Sequence, residues 1–151
     1  MSEFDANSAS VHKYLDLLQG VINRMAANCT GCKTWCLTLV SATVAIIADK
    51  SKPEYVWIAF VPLVLFCCLD AYYLALERSF RNRYNAFVHK LHASSVTVSD
   101  LYTLTPQINW SSRFKSFGSS SIYPFYLFLA LMLLAVRFWI IPSVATLGTA
   151  P

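Results

Sequence analysis

The sequence predicts an all-α membrane protein. It has three transmembrane helices (N-terminus in, C-terminus out), an amphipathic N-terminal helix and a cytoplasmic extension of the second span. Three observations predict it. Hydrophobic residues make up 56% of the 151 and charged ones only 13%, where a soluble domain carries about 25% charged residues. Three apolar runs stand out, at residues 34–48, 55–76 and 122–141. The basic residues lie mostly on one side of those runs, which is the bias that orients membrane helices.

Residues 1–33 form the cytoplasmic N-terminal part. "SVHKYLDLLQGVINRMAANC" sets Val11, Leu15, Leu18, Ile22 and Met25 at helical spacing, an amphipathic helix with Ser8 or Ser10 as its N-cap. Its apolar stripe has two candidate occupants, a neighbouring helix or the inner leaflet. Glu3, Asp5, Lys13, Asp16, Arg24 and Lys33 stud the opening of the chain. No cleavable signal peptide is therefore expected, and the first span is expected to direct its own insertion.

Residues 34–76 are a transmembrane hairpin. A helical span needs about 20 apolar residues. The second and third runs have them, whereas "TWCLTLVSATVAIIA" must extend through residues 29–33 to cross. "DKSKPE" at 49–54 is a tight connection, with Pro53 beside a helix start. Nine of the twelve Lys and Arg (Lys13, Arg24, Lys33, Arg78, Arg81, Arg83, Lys90, Arg113, Lys115) fall on one side of this topology, against Lys50, Lys52 and Arg137. That side is assigned as cytoplasmic. Residues 77–121 then form an inner helix and connector, 122–141 the third span and 142–151 an external tail. Tyr55, Trp57, Tyr123 and Trp139 fall near the interfaces, and Arg137 is one turn from an outer end, where it can snorkel. A soluble bundle with apolar core helices is the competing reading; it does not account for the one-sided charge.

After the second run, Phe80, Tyr84, Phe87 and Leu91 keep the helical period, with no breaker between residues 71 and 90. One rod of roughly 38 residues, about 57 Å, is expected. Residues 95–106 read as a turn, with room for a short strand, then a short helix capped at Ser99, and residues 108–121 as a polar, basic and aromatic approach to the third run.

The candidate site residues are the polar ones in the spans. Asp70 interrupts "VPLVLFCCLDAYYLALERSFR". In an antiparallel hairpin turning between residues 51 and 52, numbers that sum to 103 share a depth, so Lys33 stands opposite Asp70. The carboxylate has three open readings: a Lys33–Asp70 pair that fixes register, a pore-lining or gating acid, and a proton-relay acid. Thr34, Thr38, Ser41, Ala45 and Ala48 follow one small, weakly polar face. Such a face permits close helix approach, or lines a narrow path in an oligomer. Arg78, Arg81 and Arg83 form a candidate cytoplasmic basic surface for a partner or an anionic ligand such as a nucleotide.

"CTGC" at residues 29–32 lacks the βαβ context of a redox motif and the second ligand pair of a zinc site. His89 and His92 have no cysteine or carboxylate close by in sequence. No phosphate loop, nucleophile elbow or HExxH occurs. A non-enzymatic protein is expected, with no catalytic residue, no metal, no cofactor and no direct nucleic-acid partner.

"QGVINRMAANCTGCKTWCLTLVSATVAIIADK" and "LDAYYLALERSFRNRYNAFV" carry a resemblance over residues 19–50 and 69–88. The "INRMA" helix, the K-x-W opening of the first span and "DAYYL-x-LER-x-F" leaving the second resemble a group of small bacterial multi-span membrane proteins. That group is similar to the transmembrane effectors of antiphage defence. The resemblance implies a multi-pass protein of the bacterial inner membrane, and a homo-oligomer is expected because three spans with polar residues in them have too little bulk to form a pore alone. The resemblance also implies permeabilisation or depolarisation of the bilayer when a cytosolic sensor or signalling protein triggers it. The alternative is a non-catalytic membrane anchor that recruits a cytosolic partner.

Overall fold

The structure is a computed structural model that describes residues 8–50, 53–106 and 116–140. Its elements are helices throughout, with no strand among the described residues. Helix α1 is Ala9–Lys50, α2 is Val56–His92 and α3 is Tyr123–Ala135, continued by a π-helical turn, Val136–Ile140. A 3₁₀ turn, Pro53–Tyr55, leads into α2.

Ser8 starts α1 by accepting the Val11 and His12 amides on its carbonyl and the Val11 amide on its hydroxyl, at 3.1, 3.2 and 3.4 Å. The helix then runs without a break from the amphipathic segment into the first apolar run. It stays in one piece because its buried stripe keeps one period: Val11, Tyr14, Leu18, Ile22, Cys29, Cys32, Cys36 and Val40 follow at helical steps. On α2 the matching stripe is Val56, Ala59, Leu63, Asp70, Ala71, Leu76, Phe80 and Phe87. The two helices form an antiparallel rod of about 60 Å.

The rod has two cores. The turn-end core joins Cys36, Val40 and Ile47 of α1 and Val56, Ala59, Leu63 and Ala71 of α2 to Ile122, Tyr126, Leu129 and Leu133. The open-end core joins Val11, Tyr14, Leu18 and Ile22 to Leu76, Phe80, Phe87 and Val96. Both amphipathic stripes beyond the apolar runs therefore pack on each other. This settles the two occupants weighed for the α1 stripe in favour of a neighbouring helix.

The two halves differ at their surfaces. Around the turn-end core the exposed side chains are apolar: Trp35, Leu37, Leu39 and Ile46 on α1, Trp57, Val61, Val64 and Leu65 on α2, Leu127, Phe128 and Leu131 on α3. Around the open end they are mostly polar, with His12, Lys13, Asp16, Gln19 and Arg24 exposed on α1 and Arg81, Asn82, Asn85 and His89 on α2. Both α1 and α2 are long and apolar enough to cross a membrane, and only 22% and 28% of their most apolar stretches is buried. The core helix of a soluble protein is mostly buried over such a stretch, and these two are not. The run Tyr123–Phe138 is apolar but shorter than those two.

The connector after α2 folds back along the rod. Ser94, with φ of 49°, turns the chain, and Ser94 and Ser95 amides close on the Leu91 and Lys90 carbonyls at 3.1 and 3.0 Å, a left-handed helix stop. The short helix that follows is a 3₁₀ turn, Val98–Asp100, capped by Thr97 and not by Ser99. Asp100 sits three residues after Thr97 and accepts its amide and hydroxyl at 3.0 and 2.9 Å. This is the reciprocal box that a Thr-x-x-Asp spacing allows.

Candidate functional site

The register of the rod sets the site. Tyr14 and Phe87 meet edge-to-face at 4.8 Å between ring centres, and their numbers sum to 101. Nineteen positions further along α1, Lys33 Nζ lies 2.6 Å from Asp70 Oδ2, with numbers that sum to 103. Two regular helices holding one register over that length give the pairing that counting from the turn predicts.

Asp70 is shut away, its side chain 1% exposed against 22% for Lys33. The pair sits beside the junction of the two cores: Lys33 lies between Ile22 and Cys36 on α1, and Asp70 directly precedes Ala71 on α2. Lys33 reaches Oδ2 as a close ionic contact without the alignment of a full hydrogen bond, and Oδ1 has no donor among the described residues. Cys29 Sγ points at the Asp70 carbonyl, 3.8 Å away, and Tyr126 donates its hydroxyl to the Phe66 carbonyl one turn earlier, at 3.2 Å. All three helices thus close around the carboxylate. A buried acid held by one mobile cation is sensitive to losing that cation, because an unpaired buried charge costs far more than the pair yields.

Thr34, Thr38 and Ser41 lie on a different face. They are exposed, as are Ala45 and Ala48. The α1 face turned to the hairpin interior is instead that of Cys29, Cys32 and Cys36, all buried and free thiols. Small side chains mark where a helix can be approached, without saying by which neighbour. The hydroxyls of Thr34 and Thr38 turn back to the carbonyls of Thr30 and Thr34, at 3.1 and 2.9 Å, so neither is left unsatisfied in an apolar surrounding.

Arg78, Arg81 and Arg83 do not form one surface. At about 100° per residue they point in different directions, and each has its own partner. Arg78 donates to Ser119 Oγ at 2.7 Å, Arg81 pairs with Glu77 at 2.8 Å, and Arg83 donates to the Thr105 carbonyl at 2.6 Å. Sequence reasoning missed Tyr126, whose apolar surroundings give no sign of a polar role, and Lys90, which pairs with Asp100 at 2.6 Å. His89 and His92 are exposed on the polar half. Comparison of the chain with protein-family models, with curated proteins and with solved structures finds no match.

Proposed function

We propose that the chain is a small oligomeric effector of the bacterial inner membrane that permeabilises or depolarises the bilayer, in antiphage defence. In this reading α1, α2 and the helical run 123–140 are its three spans, N-terminus in and C-terminus out. The third span is about 27 Å long, close to the hydrocarbon thickness of about 30 Å. The observation that carries the reading is the uncovered face of Thr34, Thr38 and Ser41 within the apolar belt. A small, weakly polar face allows close approach between copies, and three helices alone are too few to enclose an aqueous path. Defence is supported by the resemblance of residues 19–50 and 69–88. Expression in a bacterial host with a potential-sensitive dye tests it: depolarisation is expected, and an unchanged potential with the chain in the membrane counts against it.

A second reading is favoured by the polar half of the rod, where α2 continues about 22 Å past Glu77. That extension suits a membrane anchor that holds a cytosolic partner through residues 77–121. Pull-down with Arg78, Arg81 and Arg83 reversed to Glu distinguishes it, since loss of a captured partner without loss of depolarisation separates the two roles.

A further inference from the structure

Between the polar end of α2 and the returning connector lies a cavity of about 430 Å³, within the roughly 300–1,000 Å³ of small-molecule sites. Its floor is aromatic: Phe80 and Phe87 belong to the open-end core, and Tyr14 stands edge-on to Phe87. Arg83 and Lys90 line it from α2, two turns apart on the same helix, and Asp100 lines it from the connector. Three polar contacts hold the connector over the cavity. Tyr14 donates to the Thr103 carbonyl at 2.9 Å, Arg83 to the Thr105 carbonyl at 2.6 Å, and Lys90 pairs with Asp100 at 2.6 Å. Tyr102, between two of these ties, has φ of 59°. An aromatic residue stays in that left-handed region only when its surroundings impose it.

We propose that this cavity binds a small organic phosphate. Two cations and one carboxylate line it, so an incoming anion meets a positive site once it displaces Asp100 from Lys90. A phosphate monoester carries about −1.5 to −2 charges at neutral pH, against −1 for the carboxylate, and so competes for Lys90 where a monoanion does not. Arg83 presents the planar fork that suits phosphate oxygens. The aromatic floor takes the organic part. Asp100 then acts as an internal stand-in for the ligand, and binding frees the connector at that tie. The site is independent of whether the chain permeabilises a membrane, and its test reads binding alone.

The test uses the full chain in phosphatidylcholine nanodiscs, with phenyl phosphate as the soluble probe and a second set of nanodiscs containing phosphatidic acid as the headgroup source. Helix content by circular dichroism verifies each variant. Phenyl phosphate is expected to bind, and Arg83→Gln and Lys90→Gln are each expected to weaken it about tenfold, as loss of a charge-assisted contact does. Asp100→Asn keeps an oxygen for the Thr97 amide and removes the competing charge, so it is expected to tighten binding several-fold. Binding that appears only with phosphatidic acid and follows the same three substitutions supports the site with a lipid headgroup as its ligand. No binding of either, binding indifferent to the substitutions, or weaker binding in Asp100→Asn overturns the proposal.

Discussion

Lys33 Nζ stands 2.6 Å from Asp70 Oδ2 across the α1–α2 interface, at the level where the apolar-surfaced half of the rod gives way to the polar half. The two partners are unequal. Lys33 keeps a route to water along its own stem, and Asp70 has none.

That asymmetry predicts unequal substitutions. Lys33→Met strands a buried carboxylate and is expected to cost about 3–5 kcal/mol. Asp70→Leu leaves a lysine that can snorkel, and is expected to cost about 1–2 kcal/mol. The double variant is expected to recover most of the Lys33→Met loss, because a buried pair exchanges for apolar residues at little cost. Unfolding in detergent measures all three, and additive losses would show that the two groups do not interact.

Asp100 gives a pH dependence. Its carboxyl is held down to about 2, first by Lys90 and then by the Thr97 amide and hydroxyl. An unfolded aspartate titrates near 3.9, so the pairing contributes fully above about pH 4 and is lost as pH falls towards 2. Hydrogen exchange across residues 95–106, corrected for intrinsic rates, is expected to show protection falling in that window. In Asp100→Asn the step is expected to be absent.

Gly20 lies mid-helix in the polar half of α1, and a Cβ there meets nothing within 4 Å. Gly20→Ala is expected to raise stability by about 0.5–1 kcal/mol through backbone entropy alone. A loss instead would mean that a partner covers this face in the assembled protein.

Much of the site was legible in the sequence because helices are periodic. The turn at residues 49–54 and the positions of Lys33 and Asp70 give the pairing by counting. The stripes of Val11–Leu18–Ile22 and Phe80–Phe87 give the packing beyond the spans. What was not legible depends on direction around the helix and on chain reversal. Arg78, Arg81 and Arg83 look like a cluster in sequence and diverge in space. Thr34 and Thr38 share a small face that permits close approach, and spacing alone does not say that this face is exposed. The cavity exists because residues 95–106 return to Tyr14 and Lys90, a long-range closure that local pattern does not encode.

Orientation has its own test. Single-cysteine variants on a cysteine-free background, at Asp49 and Ser95, are expected to react with an impermeant maleimide from outside and from inside respectively. A C-terminal tag is expected outside. A tag found inside would leave α1 and α2 as the only spans and place the run 123–140 on the inner face.

Assembly is the claim on which the proposed effector rests, and the mass of the detergent-solubilised chain tests it most directly. Light scattering with the detergent contribution subtracted is expected to give a discrete multiple of 17.0 kDa, reduced when Thr34 and Thr38 are replaced by Trp. A single 17.0 kDa particle in mild detergent and in native nanodiscs alike would contradict a pore made by copies of this chain.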